Sequence, residues 1–303
     1  MIRTALTALA ALCLATFVAA PLQAADKYAA NDGVKIHYVA EGQGPLIVLI
    51  HGFPDYWATW KPLMAELNKA GYRTAALDLR GYNLSDKPAG EAAYAMPNLI
   101  GDVAAVIAAE GQHKAIVIGH DWGAAIAWQT AFNRPDLVDK LVIMSVPHPA
   151  GMARELATNA DQQKNSQYAR NFQQPGFEKN LTAEGLAGWV KDPAAKPGYV
   201  EAFRRSDFTA MLNYYRVNYP RGTGAEAQTP LSMASANQRV KVPTLVIHGM
   251  KDTALNAAGH AGTWNYVDAD STIVMLPDAA HFLQHDAPDL VNRTVRDWLN
   301  QRR

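Results

Sequence analysis

The sequence predicts an α/β fold with a mostly parallel central sheet, helices on both faces and an inserted helical segment. Short continuous apolar runs such as 45–50 and 115–119 alternate with longer segments of helical periodicity. Runs of this kind are typical of strands buried on both faces of a parallel sheet. Residues 147–242 interrupt the alternation, and a plain loop of that length is uncommon within a compact domain. These features predict one sheet whose last strands follow a large insertion.

The core elements follow one another in a regular order. Residues 34–42 alternate between apolar and polar side chains, whereas the later strand-like runs are continuously apolar. Strands are predicted at 34–42, 45–50, 72–79, 115–119, 141–146, 244–249 and 272–276. Helical spacing predicts helices at 57–70, 97–110, 122–133, near 258–267 and at 287–301. Strands that alternate with helices in this way favour a parallel sheet covered on both faces.

The long insertion, residues 147–242, is interpreted as a helical cap and return linker over the carboxyl-terminal edge of the sheet. It contains helical patterns and is rich in tyrosine and tryptophan. Residues 220–239 are polar and contain Pro, Gly and Thr, which suits a linker. The core domain is then expected to comprise residues 25–146 and 243–303.

The composition is that of a globular protein without a polyanionic partner. Of 303 residues, 49% are hydrophobic and 18% are charged, which is enough apolar mass for a sizeable core. Basic and acidic side chains number 28 each, so the formal net charge is zero. Proteins that bind phosphate backbones carry a basic excess, so nucleic acid is excluded as an expected partner.

The N-terminal segment, residues 1–24, predicts a secretory signal peptide. Arg3 supplies the positive charge, residues 5–20 form an apolar run, and small residues ending at Ala24 offer a cleavage site. An uncleaved membrane anchor is the alternative, but the run is shorter than the ~20 residues of a spanning helix. We therefore expect export to the periplasm or secretion from a bacterium, with no stable membrane insertion after cleavage. Cys13, the single cysteine, lies within the removed segment.

The strongest catalytic motif is Gly119-His120-Asp121-Trp122-Gly123, which follows an apolar strand and opens a helix. A nucleophile elbow requires this strand–turn–helix context, with small residues on either side of the nucleophile because the turn is tight. Here an aspartate occupies the nucleophile position. The alternative interpretation is an aspartate that caps the helix N-terminus.

A second motif, His51-Gly52-Phe53-Pro54, follows the predicted strand at 45–50. In this architecture a backbone N–H after the His-Gly pair lies beside the elbow. The backbone N–H groups of Phe53 and Trp122 are therefore expected to form an oxyanion hole. A generic turn at the end of a strand is the alternative.

The other members of a triad should follow the nucleophile in the order acid, then base. Asp252 comes after the strand at 244–249, and His281 comes after the strand at 272–276. They are the candidate acid and base. Asp278 and His285 lie near His281 in sequence, and Asp55 lies in the loop after His51, but none of the three is assigned to the triad.

The motifs HGFP, RGYNLSDKP, GHDWGA, PHP, GMKD and AAHF together resemble those of the epoxide hydrolases of the α/β-hydrolase fold. The resemblance extends over residues 30–300. It implies two cap tyrosines that hold the epoxide oxygen, and the matching segments place them at Tyr168 and Tyr215. Tyr214 is the residue most easily confused with the second.

The resemblance further implies that Asp121 attacks the epoxide to form an alkyl-enzyme ester. His281, paired with Asp252, would then activate the water that hydrolyses this ester to a vicinal diol. The expected substrates are a small hydrophobic epoxide and water, with no cofactor and no metal. Haloalkane dehalogenation with the same nucleophile is one alternative, and a non-catalytic ligand-binding homologue is another.

Overall fold

The computed structural model describes residues 25–222 and 237–302, so the predicted signal peptide lies outside the described residues. The strands in these ranges are β1 Ala25–Asn31, β2 Val34–Gly42, β3 Leu46–Ile50, β4 Arg73–Leu77, β5 Ala115–His120, β6 Val138–Met144, β7 Thr244–Gly249 and β8 Ser271–Leu276. They form one sheet in the order β1-β2-β4-β3-β5-β6-β7-β8. β2 is antiparallel to both β1 and β4, and every other neighbouring pair is parallel. The mostly parallel sheet is confirmed.

Helices cover both faces of this sheet. The core helices are α1 Lys61–Lys69, α2 Met96–Ala109, α3 Trp122–Asn133, α10 Leu283–Asp286 and α11 Pro288–Asn300. The buried side chains of α2 and α3 belong to one hydrophobic cluster, and those of α1 and α11 belong to another. The fully buried β3, β5 and β7 separate the two clusters, which explains their continuously apolar sequences.

Two local predictions differ from the structure. β1 has no counterpart among the predicted strands, because the sequence ADKYAAN of this edge strand is short and contains no long apolar run. The predicted helix near 258–267 is wrong. Two short 3₁₀ helices, Ala257–His260 and Thr263–Tyr266, occupy that region. Gly262, with a φ of 82°, separates them because a left-handed residue interrupts a helix.

The chain between β6 and β7 forms a helical layer that packs against the core. Its helices within the described residues are α4 Pro149–Thr158, α5 Ala160–Asn165, α6 Gln167–Phe172, α7 Ala183–Leu186, α8 Lys196–Arg205 and α9 Phe208–Asn218. Trp189 stacks on Phe282 of the core with ring centroids 3.7 Å apart. The Trp189 indole N–H also donates to the Pro54 carbonyl at 3.1 Å. The aromatic side chains of this layer are thereby held above the sheet.

In the described part of the chain, no helix combines the length and the apolar character needed to cross a membrane.

Candidate active site

The candidate site lies at the carboxyl-terminal edge of the sheet. Phe53 follows β3, Asp121 follows β5, Asp252 follows β7 and His281 follows β8. Because the carboxyl ends of parallel strands meet at one edge, residues distant in sequence come together there. The structure brings all four together within one network of hydrogen bonds.

Asp121 sits on a strained turn between β5 and α3. Its backbone has a φ of 52° and a ψ of −124°, a conformation that L residues rarely adopt and that costs about 1–3 kcal/mol. Its carboxylate makes no capping hydrogen bond to α3, so the helix-capping interpretation is wrong. A Cβ on Gly119 would lie 2.2 Å from the Gly123 oxygen, and one on Gly123 would lie 2.0 Å from the Ile50 oxygen. The turn therefore requires glycine at both positions.

The Asp121 carboxylate is held from two directions. Its Oδ1 accepts the backbone N–H of Phe53 at 2.8 Å, and its Oδ2 lies 3.3 Å from His281 Nε2. A Cβ at Gly52 would lie 2.4 Å from Oδ1, so only glycine leaves room for the carboxylate. Burial opposes ionisation, but the His281 hydrogen bond and charge outweigh it and hold the pKa of Asp121 below its usual range. Asp121 is therefore a carboxylate at neutral pH.

His281 lies between two carboxylates. Its Nδ1–H donates to Asp252 Oδ2 at 2.8 Å, while Asp252 Oδ1 accepts the backbone N–H groups of Ala254 and Leu255 at 2.7 and 2.9 Å. Burial lowers the pKa of His281, but the charge of Asp252 and the hydrogen bonds to Asp252 and Asp121 raise it to about 10. The ring is thus protonated and ion-paired before any reaction begins.

His51 and Pro54 support the loop that carries Phe53. His51 Nε2 accepts the backbone N–H of Leu79 at 3.0 Å, and its Nδ1–H donates to the Gly52 carbonyl at 2.8 Å. Burial lowers the pKa of His51, which keeps the ring neutral in this arrangement. Pro54, joined to Phe53 by a cis peptide bond, presents its carbonyl to the helical layer. These residues orient the loop and do not face the reacting atoms.

His120, directly before Asp121, contacts the candidate base His281. Its Nε2–H donates to the backbone carbonyl of His281 at 2.8 Å. Burial, reinforced by the nearby His281 charge, lowers the pKa of His120 to about 3. His120 is therefore a neutral donor that holds the loop of His281.

Trp122 begins α3 immediately after Asp121. As the first residue of the helix, its backbone N–H has no intrahelical acceptor and is free to serve a ligand. Its indole ring meets the ring of Tyr215 edge-on, with centroids 5.1 Å apart. Trp122 thus lies between the expected oxyanion hole and the helical layer.

Two tyrosines of the helical layer face Asp121. Tyr168 of α6 and Tyr215 of α9 line the same cavity as Asp121, with their ring centroids 6.1 Å apart. Burial raises the pKa of both hydroxyls well above 10, so both remain protonated donors. Tyr214 points elsewhere, because its hydroxyl donates to the backbone carbonyl of Arg80 at 2.9 Å.

The residues left out of the triad have other partners. Asp278 is exposed and pairs with Lys251 at 2.7 Å. His285 Nε2 lies 2.7 Å from the Thr59 hydroxyl. Asp55 is fully buried and accepts the backbone N–H of its neighbour at 2.8 Å.

A cavity that opens to solvent lies beside Asp121. Its wall is mainly apolar and is formed by Trp122, Ala125, Trp128, Gln129, Val146, Pro149, Met152, Tyr168, Tyr215, Asn218, Tyr219, Pro220 and Leu255. Most of these residues were not predicted, because an apolar side chain on a helix looks the same in sequence whether it lines a cavity or fills a core. Residues 25–222 and 237–302 contain no group of three or more His, Cys, Asp or Glu side chains arranged to hold a metal.

Comparison with known proteins places this chain in a family. A family model for the alpha/beta hydrolase fold matches residues 45–288. The AB hydrolase superfamily protein YfhM of Bacillus subtilis is 35% identical over 89% of this chain and 96% of its own length. Epoxide hydrolase 3 of Xenopus tropicalis is 33% identical over 89% of this chain and 76% of its own.

A similar solved structure is a variant epoxide hydrolase from Bacillus megaterium in complex with its product, (R)-3-[1]naphthyloxy-propane-1,2-diol. It is 33% identical to this chain with a TM-score of 0.83, over 90% of this chain and all of the other.

Proposed function

The chain belongs to the epoxide hydrolases of the α/β-hydrolase fold, and we propose that it hydrolyses its epoxide through a covalent ester on Asp121. The observation that carries this proposal is the environment of the Asp121 carboxylate. It is buried, ionised and bonded to the Phe53 N–H, and it shares a cavity with the protonated Tyr168 and Tyr215. An ionised carboxylate beside two hydroxyl donors suits the opening of an epoxide ring.

In the first step, an oxygen of Asp121 attacks one epoxide carbon and the carbon–oxygen bond of the ring breaks. The bond electrons move onto the epoxide oxygen, which receives hydrogen bonds from Tyr168 and Tyr215 as its charge develops. Because their pKa values are raised by burial, both hydroxyls are protonated at neutral pH and can donate. The product of this step is a hydroxyalkyl ester of Asp121 once the alkoxide has gained a proton.

The proton comes from His281, which loses its ion pair with Asp121 when the ester forms. Esterification removes the negative charge of Asp121, one of the groups that raise the pKa of His281. The ring then gives up a proton more readily, and this proton balances the charge of the opened epoxide. His281 is left neutral and ready to act as a base.

In the second step, neutral His281 takes a proton from water, which attacks the carboxyl carbon of the ester. Asp252 holds Nδ1 and stabilises the imidazolium that forms. The tetrahedral oxyanion lies against the backbone N–H groups of Phe53 and Trp122. Collapse of this intermediate releases the vicinal diol and restores the Asp121 carboxylate.

The cavity favours a hydrophobic epoxide of moderate size. Its wall carries several aromatic rings, and Asp121 is the carboxylic acid that lines it. The naphthyloxy-propane-diol held by the Bacillus megaterium relative has this character. An aryl glycidyl ether is therefore a suitable probe substrate.

A single turnover in water enriched in oxygen-18 tests the covalent route. With enzyme in excess over naphthyl glycidyl ether, the diol should carry no label, and the Asp121 peptide should gain one oxygen-18 atom. The diol stays unlabelled because its second oxygen comes from Asp121. A labelled diol after one turnover would rule out the ester. Asp121→Asn should form no diol. Chloride release from a chloroalkane, measured on the same wild-type preparation, tests the alternative of haloalkane dehalogenation.

A further inference from the structure

Ser145 directly follows β6 and has a backbone conformation that is rare for a residue other than glycine. Its φ is 70°, and the N–H of Val146 donates to the Met144 carbonyl across it at 3.0 Å. This hydrogen bond closes a γ-turn with a positive φ, which is rare and strained for a residue other than glycine. Ser145 is fully buried, so solvent does not hold it there.

The strained turn directs the Ser145 hydroxyl at the catalytic base. Ser145 Oγ–H donates to the backbone carbonyl of His281 at 2.8 Å. The same carbonyl also accepts Nε2–H of His120 at 2.8 Å. Two buried donors, one from the end of β5 and one from the end of β6, therefore hold a single backbone group of the loop after β8.

Ser145 is itself anchored from β7. Its backbone N–H donates to the Ile247 carbonyl at 3.0 Å, and its carbonyl accepts Nδ1–H of His248 at 3.2 Å. β7 also leads into Asp252, which holds the other side of the His281 ring. The strand that positions the acid thus also positions the serine that holds the backbone of the base.

We propose that Ser145 is a positioning residue that keeps the His281 ring aimed at the ester during the second step. This inference rests on the proposed two-step function. Before reaction, the Asp121 carboxylate helps to orient the ring, with 3.3 Å between Oδ2 and Nε2. Once Asp121 is an ester, that charge is gone, and the ring is oriented through Asp252 and through its own backbone. Ser145 matters most at this stage.

The proposal predicts a selective effect on one step. Ester formation depends on Asp121 and the tyrosines, whereas ester hydrolysis depends on a well-aimed His281. A small misplacement of a catalytic group is costly, so Ser145→Ala should slow ester hydrolysis about tenfold and leave ester formation within about twofold of wild type. The kcat and KM should fall together, and kcat/KM should stay nearly constant.

Rapid-quench mass spectrometry with naphthyl glycidyl ether measures both rates as the ester appears and disappears. Ser145→Gly belongs in the same experiment, because it removes the hydroxyl while relieving the strain at positive φ. If Ser145→Ala folds poorly, the glycine variant still carries the test. Both variants should accumulate the ester.

Ser85→Ala is the matched control. Ser85 is also fully buried, and its hydroxyl donates to a backbone carbonyl, that of Asp78, at 2.7 Å. Its loss should lower stability without ester accumulation. Ester hydrolysis at the wild-type rate in both Ser145 variants would overturn the proposal. Ester hydrolysis slowed as much in Ser85→Ala as in the Ser145 variants would also overturn it. If wild type itself forms no ester, the proposed function fails instead.

Discussion

Single residues in the site differ in protonation because their surroundings differ. Asp121 has a lowered pKa, since the His281 interaction outweighs the burial that opposes it. Tyr168 and Tyr215 have raised pKa values, since burial disfavours their anions. One cavity therefore holds an anionic carboxylate beside neutral hydroxyl donors at the same pH.

The raised pKa of His281 makes stability depend on pH. The folded protein binds this proton more tightly than the unfolded chain, whose histidine titrates near pH ~6.5. The stabilisation is complete below that pH and is lost as the pH rises through about 10. Thermal unfolding of wild type and His281→Gln at pH 6, 8 and 10 should show their difference shrinking as the pH rises. His113→Gln, on the exposed surface, is the control, and a constant difference would contradict the prediction.

Gly52→Ala should inactivate the enzyme. The new Cβ would lie 2.4 Å from both Oδ1 and Cβ of Asp121 and would displace this side chain. Displacement of a reacting group by about 1 Å costs on the order of 100-fold in rate, so kcat/KM should fall at least that far. Gly188→Ala, where a Cβ meets nothing within 4 Å, should behave as wild type in the same steady-state assay. Full activity of Gly52→Ala would mean that the carboxylate position is not critical.

At the scale of elements, α9 divides its tyrosines between two tasks. Consecutive residues of an α-helix point about 100° apart, so the hydroxyls of adjacent tyrosines reach different groups. Tyr214 faces the core and bonds to the Arg80 carbonyl, whereas Tyr215 faces Asp121 and the cavity. We therefore propose that the Tyr214 hydroxyl has a structural role and the Tyr215 hydroxyl a functional one.

Paired phenylalanine variants test this division. Tyr215→Phe should lower kcat/KM about 100-fold, the effect of removing one donor to a developing oxyanion, with little change in the unfolding temperature. Tyr214→Phe should cost about 1 kcal/mol of stability and leave kcat/KM unchanged, because it loses a buried hydrogen bond away from the substrate. Kinetics with naphthyl glycidyl ether and chemical denaturation measure both effects. The reverse pattern would move the functional role to Tyr214.

For the whole molecule, we propose that residues 1–24 direct export and are then removed. β1 begins at Ala25, which pairs with Ala40 of β2, so cleavage after Ala24 would leave that strand intact. Expression of the full chain in a bacterium should yield periplasmic or secreted protein whose intact mass begins at Ala25. An uncleaved, cell-retained product, or cleavage inside β1, would contradict this proposal.

The parts of the fold that the sequence predicted share a physical origin. Buried strands need continuous apolar runs, and the elbow needs glycines where a Cβ would clash, so both are visible in a local stretch of chain. The local pattern did not predict β1, which lacks such a run, or the break at 258–267, where Gly262 separates two short 3₁₀ helices. Edge strands and isolated turns depend on their neighbours more than on their own periodicity.

By itself, the sequence determined the α/β fold and the strand-end positions of Asp121, Asp252 and His281, because strand-end motifs recur in a set chain order. Only the tertiary structure decided which side chains line the cavity and that Ser145 reaches His281, 136 positions further along the chain. The cavity lining and the Ser145–His281 contact leave no local sequence pattern, because a contact between two strand ends depends on where the sheet places those strands. The paired strands β6, β7 and β8 create that contact.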